Sequence, residues 1–240
     1  MDFLTGEIIC VDKPLKWTSF DAVKRIRGVL QRRYGIRKLK VGHAGTLDPL
    51  ATGVMIICTG KATKQIDSLQ SGIKEYIATV ALGATTPSYD LETEIDAHYP
   101  TDHITEDLVR HTLQKFVGSI EQTPPSFSAC KINGKRAYKL ARQGKDVDLK
   151  PKLLVIDSID LLEFSPEEIK IRVVCSKGTY IRALARDIGL SLRSGAHLTA
   201  LKRTRVGDIK LSDCLDVEKT IAFLREVPIE YPDDFEKKEK

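Results

Sequence analysis

The sequence is poor in what several common chemistries require. No apolar run exceeds the five residues Val54 to Cys58, far short of the ~20 that a membrane span needs. The start, MDFLTGEIIC, carries an acid and no basic cluster, unlike a secretory leader. The cysteines (Cys10, Cys58, Cys130, Cys175, Cys214) are odd in number, widely spaced and never form C-x-x-C. Dithiol redox chemistry and zinc ribbons are thereby disfavoured, and a reduced, cytoplasmic protein with thiols as small core residues is expected. The histidines show no paired spacing, so no metal site is expected. A phosphate loop is missing as well. Six residues separate Gly53 from Gly60 and Ala62 follows Lys61, whereas that loop needs four residues and then Ser or Thr after the lysine.

Acids are absent from one long stretch. Between Asp21 and Asp48 there is none, while eight Lys/Arg intervene, the densest being QRRYGIRKLK at 31–40. Lys170 to Arg205 holds nine Lys/Arg against Asp187 alone, and 131–152 holds eight against two. Thr85 to Gln122 reverses the balance, with eight acids against Arg110 and Lys115. Charge segregated in this way suits a basic face for a polyanion and an acidic face for water, although separate solvated helix faces would give the same counts. At 240 residues the chain is long enough for one large domain with a substantial core.

Strand-like runs occur at Glu7–Asp12, Val54–Cys58, Lys74–Leu82, Leu153–Leu162 and Ile169–Cys175, the last two joined by the polar turn EFSPEE as a hairpin. Helical periodicity follows Thr18/Ser19, with Val23, Ile26, Val29 and Leu30 on one face and arginines on the other. Amphipathic helices are also predicted over 108–117, 179–192 and 217–224, and the tail YPDDFEKKEK reads as disordered. Interleaved strands and helices with hairpins point to a mixed α+β domain.

The densest punctuation is GHAGTLDPLATG at 42–53. Asp48-Pro49 by itself reads as a helix start, aspartate as N-cap and proline at the first helical position. Gly42 and Gly45 leave room for close approach by something else, so a functional carboxylate is the rival reading. Tyr76 alternates with Lys74, Ala78 and Val80 on one strand face and is by default a core residue. Tyr180 and Arg182 stand two apart beside Gly178. Arg182 is suited either to a surface ion pair or to holding a carboxylate ionised. The residues alone leave these alternatives open.

The blocks together are more specific. GHAGTLDPLATGVMIICTGKATK, KEY at 74–76, PPSFSACKINGKRAYKLARQG at 124–144, GTYIRALARDIG at 178–189 and GAHLTALKRTRVG at 195–207 occur in that order. In this the chain resembles the TruB family of tRNA pseudouridine synthases, bacterial type, from about Gly6 to Leu211. The resemblance implies a pseudouridine synthase fold of mixed α+β class, with a central, largely antiparallel sheet flanked by helices and an RNA-binding cleft. It implies isomerisation of uridine 55 in the T arm of tRNA to pseudouridine, with the base flipped out of its loop. An accessory tRNA-folding role goes with it, and the alternative is a non-catalytic RNA chaperone of the same fold. Carried over position by position, Asp48 matches the catalytic aspartate and Arg182 the arginine that pairs with it. His43, Tyr76, Tyr180 and Leu201 match residues that displace, stack on or enclose the uridine. Lys64 and Asp90 fall where RNA contacts are expected.

The reaction moves one bond within one nucleotide, so no cofactor is implied. tRNA is the partner, with no membrane and no required protein partner, and the protein is expected to act as a monomer. Two departures from the family pattern stand out. Ser88 and Thr93 replace a threonine and a glycine around Asp90. The expected organisation is a catalytic domain at 1–212 followed by a short C-terminal helix and tail at 213–240, without a full PUA-type RNA-binding domain. The basic 31–40 segment, with Arg32, Arg33, Arg37 and Lys38, is the expected compensation.

Overall fold

The structure, a computed structural model, describes residues 1–128, 130–132, 134–143 and 149–232. Most of the tail read as disordered therefore lies outside the described residues. The described chain contains six α-helices and strands whose pairings are nearly all antiparallel, the mixed α+β class expected. It divides into two compact units, Met1–Lys74 with Lys202–Lys240, and Glu75–Leu201.

In the first unit β1 (Ile8–Lys13) is followed by α1 (Ser19–Tyr34), β2 (Val41–Ala44) and β3 (Ala51–Thr59). β3 pairs antiparallel with β1, from Ile8 opposite Cys58 to Lys13 opposite Gly53, and with β2, from Val41 opposite Thr59 to Ala44 opposite Ile56. The run VMIIC is continuous because both of its faces are covered, as in any strand at the centre of a packed layer. Met55 and Ile57 face a core built with Val23, Ile26, Val29 and Leu30 of α1 and Val217, Ile221 and Leu224 of the helix Val217–Glu226. Val54, Ile56 and Cys58 face Ala44, Ala62 and Val206. Each fully buried aliphatic side chain here contributes about 1.5–3 kcal/mol, so the C-terminal helix is part of this core.

α1 starts where a cap was expected, and Thr18 alone is the cap. Its hydroxyl accepts from the Asp21 N–H at 3.1 Å, and the Asp21 carboxylate accepts the Thr18 N–H at 2.9 Å. This reciprocal capping box leaves Ser19 free for another task. The helix ends at Gly35, whose φ of 68° lets its N–H return to the Arg32 carbonyl. Arg33 does not face solvent as a free cation. Its Nη1 donates to the carbonyls of Leu224 and Val227, both at 2.7 Å, closing the C-terminal end of the helix Val217–Glu226.

β4 (Lys74–Leu82), which belongs to the second unit from Glu75 onward, alternates strictly, with Lys74, Tyr76, Ala78, Val80 and Leu82 buried. The strands Lys152–Phe164 and Glu168–Cys175 form the expected hairpin, and Gly118–Gln122 pairs with Lys152–Ile156. The helix Glu106–Gln114 starts two residues before the predicted point, because the Thr105 hydroxyl accepts the Leu108 N–H. The helix Ile181–Ser191 buries Ile181, Leu184 and Ile188. The strand Ala196–Val206 contributes its first half to the second unit and its remainder, from Lys202, to the first.

Candidate active site

The segment between β2 and β3 is a loop anchored at several points, and Asp48 caps no helix. Its carbonyl accepts the Ala51 N–H at 3.1 Å, so Asp48, Pro49, Leu50 and Ala51 make a turn that runs directly into β3. Proline suits the second position of such a turn as well as the first position of a helix, which is why the sequence alone pointed to a cap.

Three groups hold the loop on both sides of Asp48. The buried Ser19 hydroxyl accepts the Leu47 N–H at 2.8 Å and donates to the Leu47 carbonyl at 3.0 Å. The Lys16 N–H donates to the Pro49 carbonyl at 2.8 Å. Arg203, 1% exposed, donates through Nη2 to the Gly45 carbonyl at 3.0 Å and through Nε to the Val54 carbonyl at 2.8 Å. The fit is close enough to dictate a glycine. At Gly53, with φ of 105°, a Cβ would stand 2.1 Å from the Arg203 carbonyl oxygen. The Asp48 side chain emerges half-buried from this frame.

A second buried cation lies under the same loop. Lys13 is fully buried, and its ammonium donates to the carbonyls of Pro14 at 2.9 Å and Trp17 at 2.7 Å. Burial pushes its pKa down to about 8. Attraction to the Asp48 carboxylate resists that fall, and repulsion from Arg203 adds to it. His43, in β2 opposite Ile57, is half-buried and has its pKa lowered by burial and then by the charge of Arg203. Its imidazole is therefore neutral at pH 7, and its Nδ1 is buried without a hydrogen-bond partner. Lys64, exposed in the 3₁₀ turn Gly60–Gln65, shares a shallow depression with Lys38, Lys40 and Lys61.

In the second unit Tyr76 is buried, 8% exposed, on the face of β4 shared with Ala78 and Val80. Tyr180 stands at the start of the helix Ile181–Ser191, where the Gln122 carboxamide grips its backbone. Oε1 accepts the Tyr180 N–H at 2.8 Å and Nε2 donates to its carbonyl at 3.2 Å. The Tyr180 hydroxyl is 3.3 Å from the Cys130 sulfur. Arg182 is buried, donating to the carbonyls of Ser88 at 3.2 Å and Phe127 at 2.9 Å, and its Nε is 3.6 Å from an Asp90 carboxylate oxygen. Leu201 is half-buried.

Asp90 is placed differently from a residue presented to RNA. It is 5% exposed, with one oxygen on the Glu92 N–H and the other toward Arg182. The two departures around it interlock. The Ser88 hydroxyl lies 2.9 Å from that of Thr93 and donates to the Asp90 carbonyl, and the Ser88 N–H donates to Thr93 Oγ1. Two small hydroxyl residues thus close the loop that carries Asp90. Sequence reasoning missed Ser19, Lys13, Gln122 and Arg203. The first reads as a helix cap, Lys13 and Gln122 lie in no conspicuous motif, and Arg203 was counted among surface cations.

Among the described residues no three His, Cys, Asp or Glu side chains are grouped so as to hold a metal ion. No described helix is long and apolar enough to cross a membrane.

Comparison with known proteins bears on this arrangement. The model of the TruB family pseudouridylate synthase N-terminal domain matches residues 31–181, and that of the tRNA pseudouridylate synthase B C-terminal domain matches 182–227. The chain is 67% identical to tRNA pseudouridine synthase B of Phocaeicola vulgatus, over 96% of this chain and 98% of that one. It is 46% identical to the protein of the same name from Chlorobium luteolum, over 89% of this chain and 73% of that one. Among solved structures, a chain of a Cbf5-Nop10-Gar1 complex superposes with a TM-score of 0.70 at 29% identity, covering 94% of this chain and 57% of its own.

Proposed function

Because this chain belongs to the TruB family of pseudouridylate synthases, we propose that it isomerises uridine to pseudouridine in tRNA, at uridine 55 of the T arm. The observation that carries the assignment of Asp48 is the frame around it. A loop fixed at Gly45, Leu47 and Pro49 by Arg203, Ser19 and Lys16 delivers one half-buried carboxylate in a set direction.

The chemistry requires such a group. The N1–C1′ bond breaks, the uracil turns, C5 bonds to C1′ and gives up its proton, and N1 ends protonated. No atom is gained or lost, so one aimed carboxylate acting as nucleophile or base is the central requirement. We assign His43, Tyr76, Tyr180 and Leu201 to displacing and enclosing the uridine, by the match of their motifs to the family. Arg182 supplies charge stabilisation, with Asp90 as its positioning partner. A neutral His43 inserts among bases at less desolvation cost than an imidazolium. Flipping the uridine costs a few kcal/mol, and stacking on an aromatic such as Tyr76 returns about 1–3 kcal/mol.

The test is incubation with an unmodified tRNA transcript and with its T-arm stem-loop, scoring pseudouridine by chemical mapping. Wild-type protein forms the product at the T-arm uridine, while Asp48→Asn forms none and retains RNA affinity. No product from either RNA refutes the enzyme reading. A protein that refolds tRNA without forming pseudouridine is the chaperone alternative.

A further inference from the structure

A groove runs along the solvent face of α1, from Lys16 and Trp17 through Lys24, Arg27 and Gly28 to Arg32. No described carboxylate lies within ion-pair distance of Lys16, Lys24, Arg27 or Arg32. Arg25, beside them, only approaches Glu218 at 4.0 Å. The one acid lining the groove, Asp21, is occupied in the capping box of α1. Next to the groove the Arg27 guanidinium lies 5.6 Å above the ring of Phe20, which is 57% exposed.

Two residues in this groove are poor choices for stability alone. Gly28 sits within the 16-residue helix, where glycine is among the least favourable residues. Packing does not demand it, because an added Cβ would meet nothing closer than the mobile end of Arg32, at an ordinary 3.6 Å. Lys16 has φ of 66°, a region that suits glycine and penalises a side chain. A glycine where the helix wants a side chain lowers the groove floor, and a lysine where the turn wants glycine adds charge at its mouth. Local rules broken without a packing reason mark functional surfaces.

We infer that this groove docks the sugar–phosphate backbone of the substrate RNA, separately from the pocket for the flipped nucleotide. The inference rests on the tRNA reading above and adds a contact surface to it. The chemistry is complementary. Unpaired ammonium and guanidinium groups neutralise phosphates, the bare backbone at Gly28 admits a ribose–phosphate strand, and the Phe20–Arg27 pair offers a flat cationic platform to a base. The expected role of the 31–40 segment moves accordingly. Arg32 belongs to the groove, whereas Arg33 is committed to the C-terminal helix.

The experiment measures binding of full-length unmodified tRNA transcript and of its T-arm stem-loop across a salt series, together with melting temperatures. Gly28→Ala is expected to raise the melting temperature and weaken tRNA binding at least about 3-fold, a combination that a purely structural role cannot give. Lys24→Gln with Arg32→Gln is expected to reduce the slope of log affinity against log salt by about 1.4–1.8, two phosphate contacts' worth. The stem-loop arm shows whether those phosphates lie in the T arm or beyond it. Unchanged affinity and slope in both variants overturn the inference, as does a change of oligomeric state in place of RNA affinity. Wild-type pseudouridine formation is scored alongside. Product with unaltered variant binding sinks the groove alone, and absence of wild-type product sinks the functional reading instead.

Discussion

Raising the pH from 7 to 9 should stabilise this protein through Lys13. Its pKa falls from 10.5 in the open chain to about 8 in the fold, with burial as the main cause. Between those values the unfolded chain holds a proton that the native state has released, so stability rises with pH across the window. The contribution is fully present above 10.5 and is lost as pH falls through 8. At about 1.36 kcal/mol per unit, the whole effect is about 3.4 kcal/mol. Integrated between pH 7 and 9 it gives about 1.3 kcal/mol. Cys58 opposes it, since burial raises that thiol from 9.0 to about 11, but by pH 9 this costs only about 0.4 kcal/mol. Urea unfolding of wild type and Lys13→Met at pH 7 and 9 isolates the lysine, because every other titrating group is common to both proteins. The variant loses hydrogen bonds to Pro14 and Trp17 and is less stable at both pH values. Its gain between them should fall short of the wild-type gain by about 1.3 kcal/mol. Parallel pH dependence of the two proteins would refute a buried ionisable Lys13.

Ser19→Ala leaves both amide groups of Leu47 buried without partners. It should cost about 2–4 kcal/mol, seen as a melting point lower by about 5–15 °C, with slower turnover at saturating tRNA as Asp48 loosens. Ser19→Thr, which keeps the hydroxyl, should recover part of the turnover. Arg33→Gln uncaps the helix Val217–Glu226 and should destabilise by about 1–3 kcal/mol while leaving the salt slope of tRNA binding unchanged. Gly53→Ala puts a methyl against the Arg203 backbone and should destabilise by more than about 3 kcal/mol, read as loss of the cooperative unfolding transition or of soluble protein.

Much of the scaffold was legible because its signals are local. The alternation of β4, the capping residues before α1 and the polar turn at 163–168 each determine their own geometry within a few residues. The Asp48 loop was not legible in the same way. Asp-Pro serves a turn and a helix start equally well, and only the frame from Ser19, Lys16 and Arg203 decides between them. The charge pattern misled in a related manner. Arg33 and Arg203 fall in the basic segments of the sequence, yet each is turned inward onto backbone carbonyls. Ser88 and Thr93 look like erosion of a motif until their hydroxyls are seen to bond to one another.

The bond from Arg203 to Gly45 also sets a timetable. The two residues are 158 positions apart, and at ribosomal rates of ~5–20 residues per second the later one follows roughly 8–30 s behind. Throughout that interval the nascent chain has the aspartate but lacks the strand that anchors its loop. Synthesis itself thus withholds a finished Asp48 loop from an unfinished protein, in a ribosome's neighbourhood crowded with RNA.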